Sequence, residues 1–212
     1  SKSGHPQSAQ KATAIVQRMK ARTIPLNDVT YNSWMNAYVR QQKQNQHKHS
    51  KTIQEDNNNS QSTTIAALQQ IEKIMDEMEH EVHNKKSKVK EIRIKDYNVV
   101  ILANARCGRA IAAEKIVKDI VERYTTGQSL VLPDLLSYTM VLDAWSKSTE
   151  KGRGIRAEQI LDTIEAQETT IANPRSSSST TTTPSTTTID DTTLVAATYV
   201  SAMRAVVHSG EE

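Results

Sequence analysis

Phenylalanine is absent from the 212 residues, and cysteine occurs once, at Cys107. A single thiol excludes an internal disulfide framework and suits a reducing compartment. No apolar run approaches the length needed to cross a membrane, and no apolar signal-peptide core stands near the N-terminus. Hydrophobic residues make up only 36% of the chain. That is lean for one large core, so either part of the chain is unstructured or the core is thin and distributed. The net charge of +3 is mild. It permits a polyanionic partner without demanding one, because charge acts on a partner only when gathered on one face.

Two stretches are almost free of apolar residues. Residues 41–64, "QQKQNQHKHSKTIQEDNNNSQSTT", are rich in Gln, Asn, Ser and His, and residues 174–193, "PRSSSSTTTTPSTTTIDDTT", are mostly Ser and Thr. Neither buries enough apolar surface to offset an ordering cost of roughly 1–2 kcal/mol per residue, so both are expected to be disordered insertions. Similar patterns resume on either side of each, which marks them as insertions and not as domain linkers. Residues 83–95, "HNKKSKVKEIRIK", form a basic, loop-like interruption.

With these set aside, the remaining segments align with one another. One type reads "TYNSWMNAYVR" from Thr30, "DYNVVILANAR" from Asp96, "SYTMVLDAWSK" from Ser137 and "TYVSAMRAVVH" from Thr198. Each carries a Tyr (Tyr31, Tyr97, Tyr138, Tyr199), a large apolar residue four places on (Met35, Ile101, Leu142, Met203) and an Ala six places on (Ala37, Ala103, Ala144, Ala205). Those spacings lie on one broad helical stripe, and the recurrent Ala predicts close approach between helices. A second type alternates with the first: "ATAIVQRM" from Ala12, "IEKIMDEM" from Ile71, "AEKIVKDI" from Ala113 and "AEQILDTI" from Ala157. Apolar residues at the first, fourth, fifth and eighth places give a strict amphipathic helix with a charged opposite face.

The gaps fix a period. Met19 and Tyr31 are 12 residues apart, Tyr97 and Ala113 are 16 apart, and a second-type segment spans seven steps, which together give 35. The Tyr-to-Tyr distances of 66, 41 and 61 exceed that period by 31, 6 and 26. The two large excesses contain the two low-complexity runs. The expected fold is therefore all-α: an α-solenoid of antiparallel helix-turn-helix repeats of 35 residues, with long disordered insertions and a thin core shared between neighbours.

A helical pair of this length that opens on "DVTYNSWMNAYVR" and continues through "LPDLLSYTMVLDAWSKS" resembles the pentatricopeptide repeat family. "VTYN" at Val29 to Asn32 and "PD" at Pro133–Asp134 occupy the matching places, and the likeness covers every segment outside the insertions. It implies the end of a truncated repeat over residues 1–27, repeats over 28–93, 94–134 and 135–195, and the first helix of a truncated repeat over 196–212. The opening "SKSG" then matches the tail "WSKS" at Trp145 to Ser148. "LVAATYVS" departs from the pattern, since no polar residue follows Tyr199. The tetratricopeptide signature of Trp, Leu, Gly and Tyr is missing: Ser33, Val99, Met140 and Ser201 stand where its small residue is sought, with no Gly nearby.

In that family each repeat reads about one base of single-stranded RNA with two or three side chains. One reader follows the Tyr and the other closes the repeat. The resemblance implies Asn32, Asn98 and Thr139 as first readers, with Val200 anomalous, and Asn27, Arg93 and Asp134 as closing readers. Asn98 with Asp134 is the regular pair and implies uracil. Asn32 with Arg93 implies a pyrimidine with lost discrimination, and Thr139 a purine. The same asparagines also suit a second role, satisfying free N–H groups at a helix N-terminus. Val29, Lys95 and Leu136 fall on the RNA-facing surface by the same likeness.

The residue nine after each Tyr is Arg40, Arg106, Lys147 or His208, and Lys2 takes this place in "SKSG". It lies about 20° around the helix from the residue two before Tyr, so the row is expected to present a ladder for phosphates. A solvated row near helix C-termini is the alternative, because the helix dipole favours cations there.

Other chemistry is sparse. His80 and His83 in "HEVH" have a metal-capable spacing, but no Cys or carboxylate cluster completes a site, and His47 and His49 lie in an insertion. Cys107 has no evident base partner. Ser and Thr are plentiful without a nucleophile motif. No enzyme, cofactor, metal or small-molecule substrate is expected. Single-stranded RNA is the expected partner, and the resemblance implies RNA metabolism in a mitochondrion or plastid. A peptide-binding helical-repeat scaffold is the alternative from a different class.

Overall fold

The computed structural model describes residues 7–49, 57–84, 87–172 and 191–209. Among these residues there are eight helices and no strand. They are α1 (Ser8–Ala21), α2 (Asp28–His49), α3 (Asn57–Val82), α4 (Ile94–Arg106), α5 (Ala110–Thr125), α6 (Leu135–Lys147), α7 (Arg153–Ala172) and α8 (Asp191–Ser209). The first sequence pattern falls in the even-numbered helices and the second in the odd-numbered ones. Gly108 and Gly127 end α4 and α5 with φ of 67° and 72°, left-handed values that glycine adopts at no steric cost. The turns are closed by Arg109 N–H to the Asn104 carbonyl at 3.1 Å and Gln128 N–H to the Arg123 carbonyl at 2.8 Å.

Residues 41–64 differ from the expected disordered insertion. α2 continues to His49 and α3 begins at Asn57, leaving only residues 50–56 of that run outside the described residues. Once nucleated, a helix propagates cheaply through Gln and Lys, which have good intrinsic propensity. A buried contact adds to this: Gln42 is fully enclosed, donating to the Thr64 carbonyl at 3.2 Å and approaching the Ala103 carbonyl at 3.5 Å. Of residues 174–193, only 191–193 are described, and they open α8. Residues 84–93 carry no helix, apart from the undescribed 85–86, and Val89 is buried among the α2, α3 and α4 side chains.

The helices pack by parity. α2, α4, α6 and α8 touch in series, and α3, α5 and α7 each sit against the even helices on either side of them. No odd helix packs its backbone on another odd helix among the described residues. α4 joins two apolar clusters, with its Val99, Val100 and Ala103 in one and its Ile101 and Ala105 in the next. Leu102 and Ile116 border both clusters, so the core is continuous along the chain. Ala103, Ala144 and Ala205 are wholly buried, as close helix approach requires. Met35, Ile101 and Leu142 are likewise wholly buried, whereas the matching Met203 of α8 is 57% exposed. Among the described residues, α8 packs on α6 and α7 alone.

Between odd helices the link is ionic. Lys20 pairs with Glu77 at 2.6 Å, Arg109 with Glu72 at 3.4 Å, and Arg123 with Glu79 at 3.0 Å. The most enclosed of these carboxylates is Glu114 of α5, which takes Trp145 Nε1 from α6 at 3.0 Å, Lys118 Nζ at 2.8 Å and the Arg156 guanidinium from α7. Burial pushes its pKa up, but the Arg156 and Lys118 hydrogen bonds and charges outweigh it and leave the group lowered.

A carboxylate lowered in the folded state contributes stability that is present above its unfolded pKa and is lost as pH falls through the folded value. Glu114→Gln is therefore expected to destabilise the fold by about 1–2 kcal/mol at neutral pH, after discounting for the exposure of its cationic partners. The same variant should reduce the loss of stability on acidification below the ordinary glutamate range, as measured by urea melts across that range.

Candidate nucleic-acid interface

The N-termini of α2, α4 and α6 are each closed by a polar side chain. Asn27 Oδ1 accepts from Thr30 N–H at 2.9 Å and from Thr30 Oγ1 at 2.7 Å at the start of α2. Asp134 Oδ1 accepts from Ser137 N–H at 2.8 Å at the start of α6, while Asp134 N–H donates to Ser137 Oγ at 3.2 Å. At α4 the capping group sits inside the helix: Asp96 Oδ2 accepts from Arg93 N–H at 3.0 Å. Both patterns satisfy donors that the first helical turn leaves unpaired.

The side chain that follows the Tyr in α2, α4 and α6 reaches the next even helix. Asn32 Nδ2 donates to Asp96 Oδ1 at 2.7 Å. Asn98 Nδ2 donates to Asp134 Oδ1 and Oδ2 at 3.1 and 3.3 Å, and Asn98 Oδ1 lies 2.6 Å from the Ser137 hydroxyl. Thr139 Oγ1 and Thr198 Oγ1 are 2.7 Å apart. In all three cases the partner includes the residue immediately before the next Tyr, namely Asp96, Ser137 and Thr198. The same contact recurs across sequence separations of 64, 39 and 59 residues, so the even helices are set in one register whatever lies between them.

The tyrosines point the other way. Tyr31 donates to Glu77 Oε1 at 2.8 Å, Tyr97 to Glu79 Oε1 at 3.3 Å, and Tyr199 to Glu165 Oε1 at 2.8 Å, so these three phenols bond to odd helices. Burial, reinforced by Glu77, pushes the Tyr31 phenol well above its ordinary pKa. Burial likewise raises Tyr97, with the Glu79 charge adding and Arg123 opposing. One side of each even helix is thus anchored, which leaves the opposite side for the reader positions.

Among the sequence-predicted residues, Asn98 and Asp134 are brought into direct contact, and Asn98 is buried while Asp134 is exposed. Asn27, Val29 and Lys95 are exposed, and Leu136, Asn32 and Thr139 are half-buried. Arg93, expected beside Asn32, instead turns its guanidinium to Asp28 on α2. Of the basic row, Arg40 and Lys147 are exposed, with Lys147 paired to Asp143 at 2.5 Å. The expected even ladder is corrected at Arg106, which is half-buried and donates from Nη1 to the Val39 carbonyl of α2 at 2.5 Å. Burial lowers its pKa, opposed by Asp143. Lys2 lies outside the described residues.

Sequence reasoning missed Asp96, Ser137 and Thr198. Their signal was available, since the residue before each Tyr is polar: Thr30, Asp96, Ser137 and Thr198. Elsewhere, Cys107 has its thiol pushed up to about 11 by burial, so it is protonated at neutral pH. His83 Nδ1 lies 3.0 Å from the Glu79 carbonyl, and no group of three metal-capable residues occurs among the described residues. A cleft of about 740 Å³ opens on the tyrosine side, rimmed by His83, Lys90, Leu130 and Val131 over a floor of Tyr97 and Arg123. In comparisons with known proteins, no family model matches the sequence and no curated protein matches it.

Because Asn98 is buried with its amide engaged on both sides, Asn98→Ala is expected to destabilise the fold by about 1–3 kcal/mol. The exposed cap Asn27→Ala should cost about 1 kcal/mol. Paired thermal melts of the two variants check the ranking.

Proposed function

We propose that the chain is a single-stranded RNA-binding module: an α-solenoid of 35-residue helical pairs of the pentatricopeptide type, reading about one base per pair. The observation that carries this reading is the row of polar side chains after the helix tyrosines. Asn32, Asn98 and Thr139 all stand between successive even helices in the same register. A row of amide and hydroxyl groups at a regular step suits a strand of bases, because each offers a donor and an acceptor to a base edge. Exposed Arg40, Lys95 and Lys147 supply positive charge for phosphates. The module binds and does not catalyse. RNA metabolism in a mitochondrion or plastid belongs to the proposal through the resemblance alone.

A second reading, a peptide-binding scaffold, has one observation in its favour. The 740 Å³ cleft on the tyrosine side is rimmed by Leu130, which is 94% exposed. That reading predicts a ligand on the face opposite the reader row, and no salt-dependent affinity for RNA.

Fluorescence anisotropy with singly substituted oligonucleotides tests the proposal. The wild-type chain should prefer U at the position facing Asn98 and Asp134, and Asn98→Ala or Asp134→Ala should relax that preference alone. Arg40→Ala should weaken all sequences alike and reduce the slope of log affinity against log salt by about 0.7. Equal affinity for U-substituted and A-substituted oligonucleotides at every position would contradict base reading.

A further inference from the structure

The family resemblance pairs Arg93 with Asn32 as it pairs Asp134 with Asn98, which would make the two steps chemically different. The geometry places the residues otherwise. Arg93 is swung back to Asp28, and the carboxylate facing Asn32 comes from Asp96, three residues further on. We infer that Asp96 is the positioning residue of the Asn32 step, taking the part that Asp134 takes beside Asn98, so that the two steps prefer the same base. This deepens the RNA reading above and rests on it.

Hydrogen-bond polarity fixes how each asparagine amide is turned. An ionised carboxylate only accepts, so it must face the NH₂ end of an asparagine amide and never the oxygen. At the first step Asp96 Oδ1 takes Asn32 Nδ2 at 2.7 Å, while Asn36 Nδ2 donates to Asn32 Oδ1 at 2.8 Å. Both contacts select the same orientation of the amide. At the second step Asp134 takes Asn98 Nδ2 with both oxygens, and the Ser137 hydroxyl lies on Oδ1. Each asparagine is therefore held with its NH₂ toward the following helix. Each keeps a second N–H and a further lone pair for a base edge.

The two carboxylates differ in exposure. Asp134 is exposed, whereas Asp96 is fully buried, with its other oxygen held by Arg93 N–H at 3.0 Å. At 0% exposure, against 8% for Asn98, the Asp96 side chain has no surface to offer a base, so Asp96 acts only through Asn32. The Thr139 step has a hydroxyl partner, Thr198, in place of a carboxylate, and falls outside the pair.

Affinities of the wild-type chain for oligonucleotides substituted singly at two consecutive positions test this. The same base should be preferred at both, with discrimination on the order of tenfold at each. Asp96→Asn, whose amide permits Asn32 to flip, should lose discrimination at the first position and keep it at the second. Arg93→Ala should leave the preference at the first position as it was. If neither position discriminates, the RNA reading itself fails. If the second discriminates while the first shows a different base or none, the role of Asp96 is overturned and the RNA reading stands. The role is equally overturned if Arg93→Ala, and not Asp96→Asn, changes the first. The wild-type comparison needs no variant to fold.

Discussion

The close packing of the even helices on one another sets the rest of the molecule. Wholly buried alanines, Ala103 and Ala144 among them, let consecutive even helices approach. At that distance a short side chain after the tyrosine reaches the first turn of the following helix. A longer residue at the alanine position would part the helices and break the Asn32–Asp96, Asn98–Ser137 and Thr139–Thr198 contacts together. The same constraint accounts for the orientation of Tyr31, Tyr97 and Tyr199, whose phenols find carboxylate partners on odd helices. The row of polar side chains after the tyrosines and the tyrosine anchors are two sides of one packing arrangement.

The odd helices are held by a different chemistry. Among the described residues they make no backbone contact with one another, and ion pairs such as Lys20–Glu77, Arg109–Glu72 and Arg123–Glu79 link them. Exposed pairs of this kind contribute little each and are screened by salt. Glu114 is the exception, because it is buried and bonded by groups from α6 and α7 as well as from its own helix.

Much of this was legible in the sequence because burial leaves a period. Met35, Ile101 and Leu142 announced the buried stripe of the even helices, and Ile71, Ile74 and Met78 that of α3. Composition misled at residues 41–49, since a polar run can extend a helix it would never nucleate. Arg106 was misread because periodicity gives an angle around its own helix and not the carbonyl of α2 that lies opposite. Asp96 was hidden for a related reason. Its contact joins residues 64 apart across a low-complexity run, and only the polar residue before each tyrosine hinted at it.

The central claim is that RNA contacts the row between even helices. The most direct measurement is an NMR titration of the chain with a short single-stranded oligonucleotide, following backbone and side-chain amides. The account predicts shifts concentrated at the N-terminal turns of α2, α4 and α6, with the Asn32 and Asn98 side-chain amides among the largest. Shifts confined to the tyrosine-side cleft around Leu130, or no shifts at all, would contradict it.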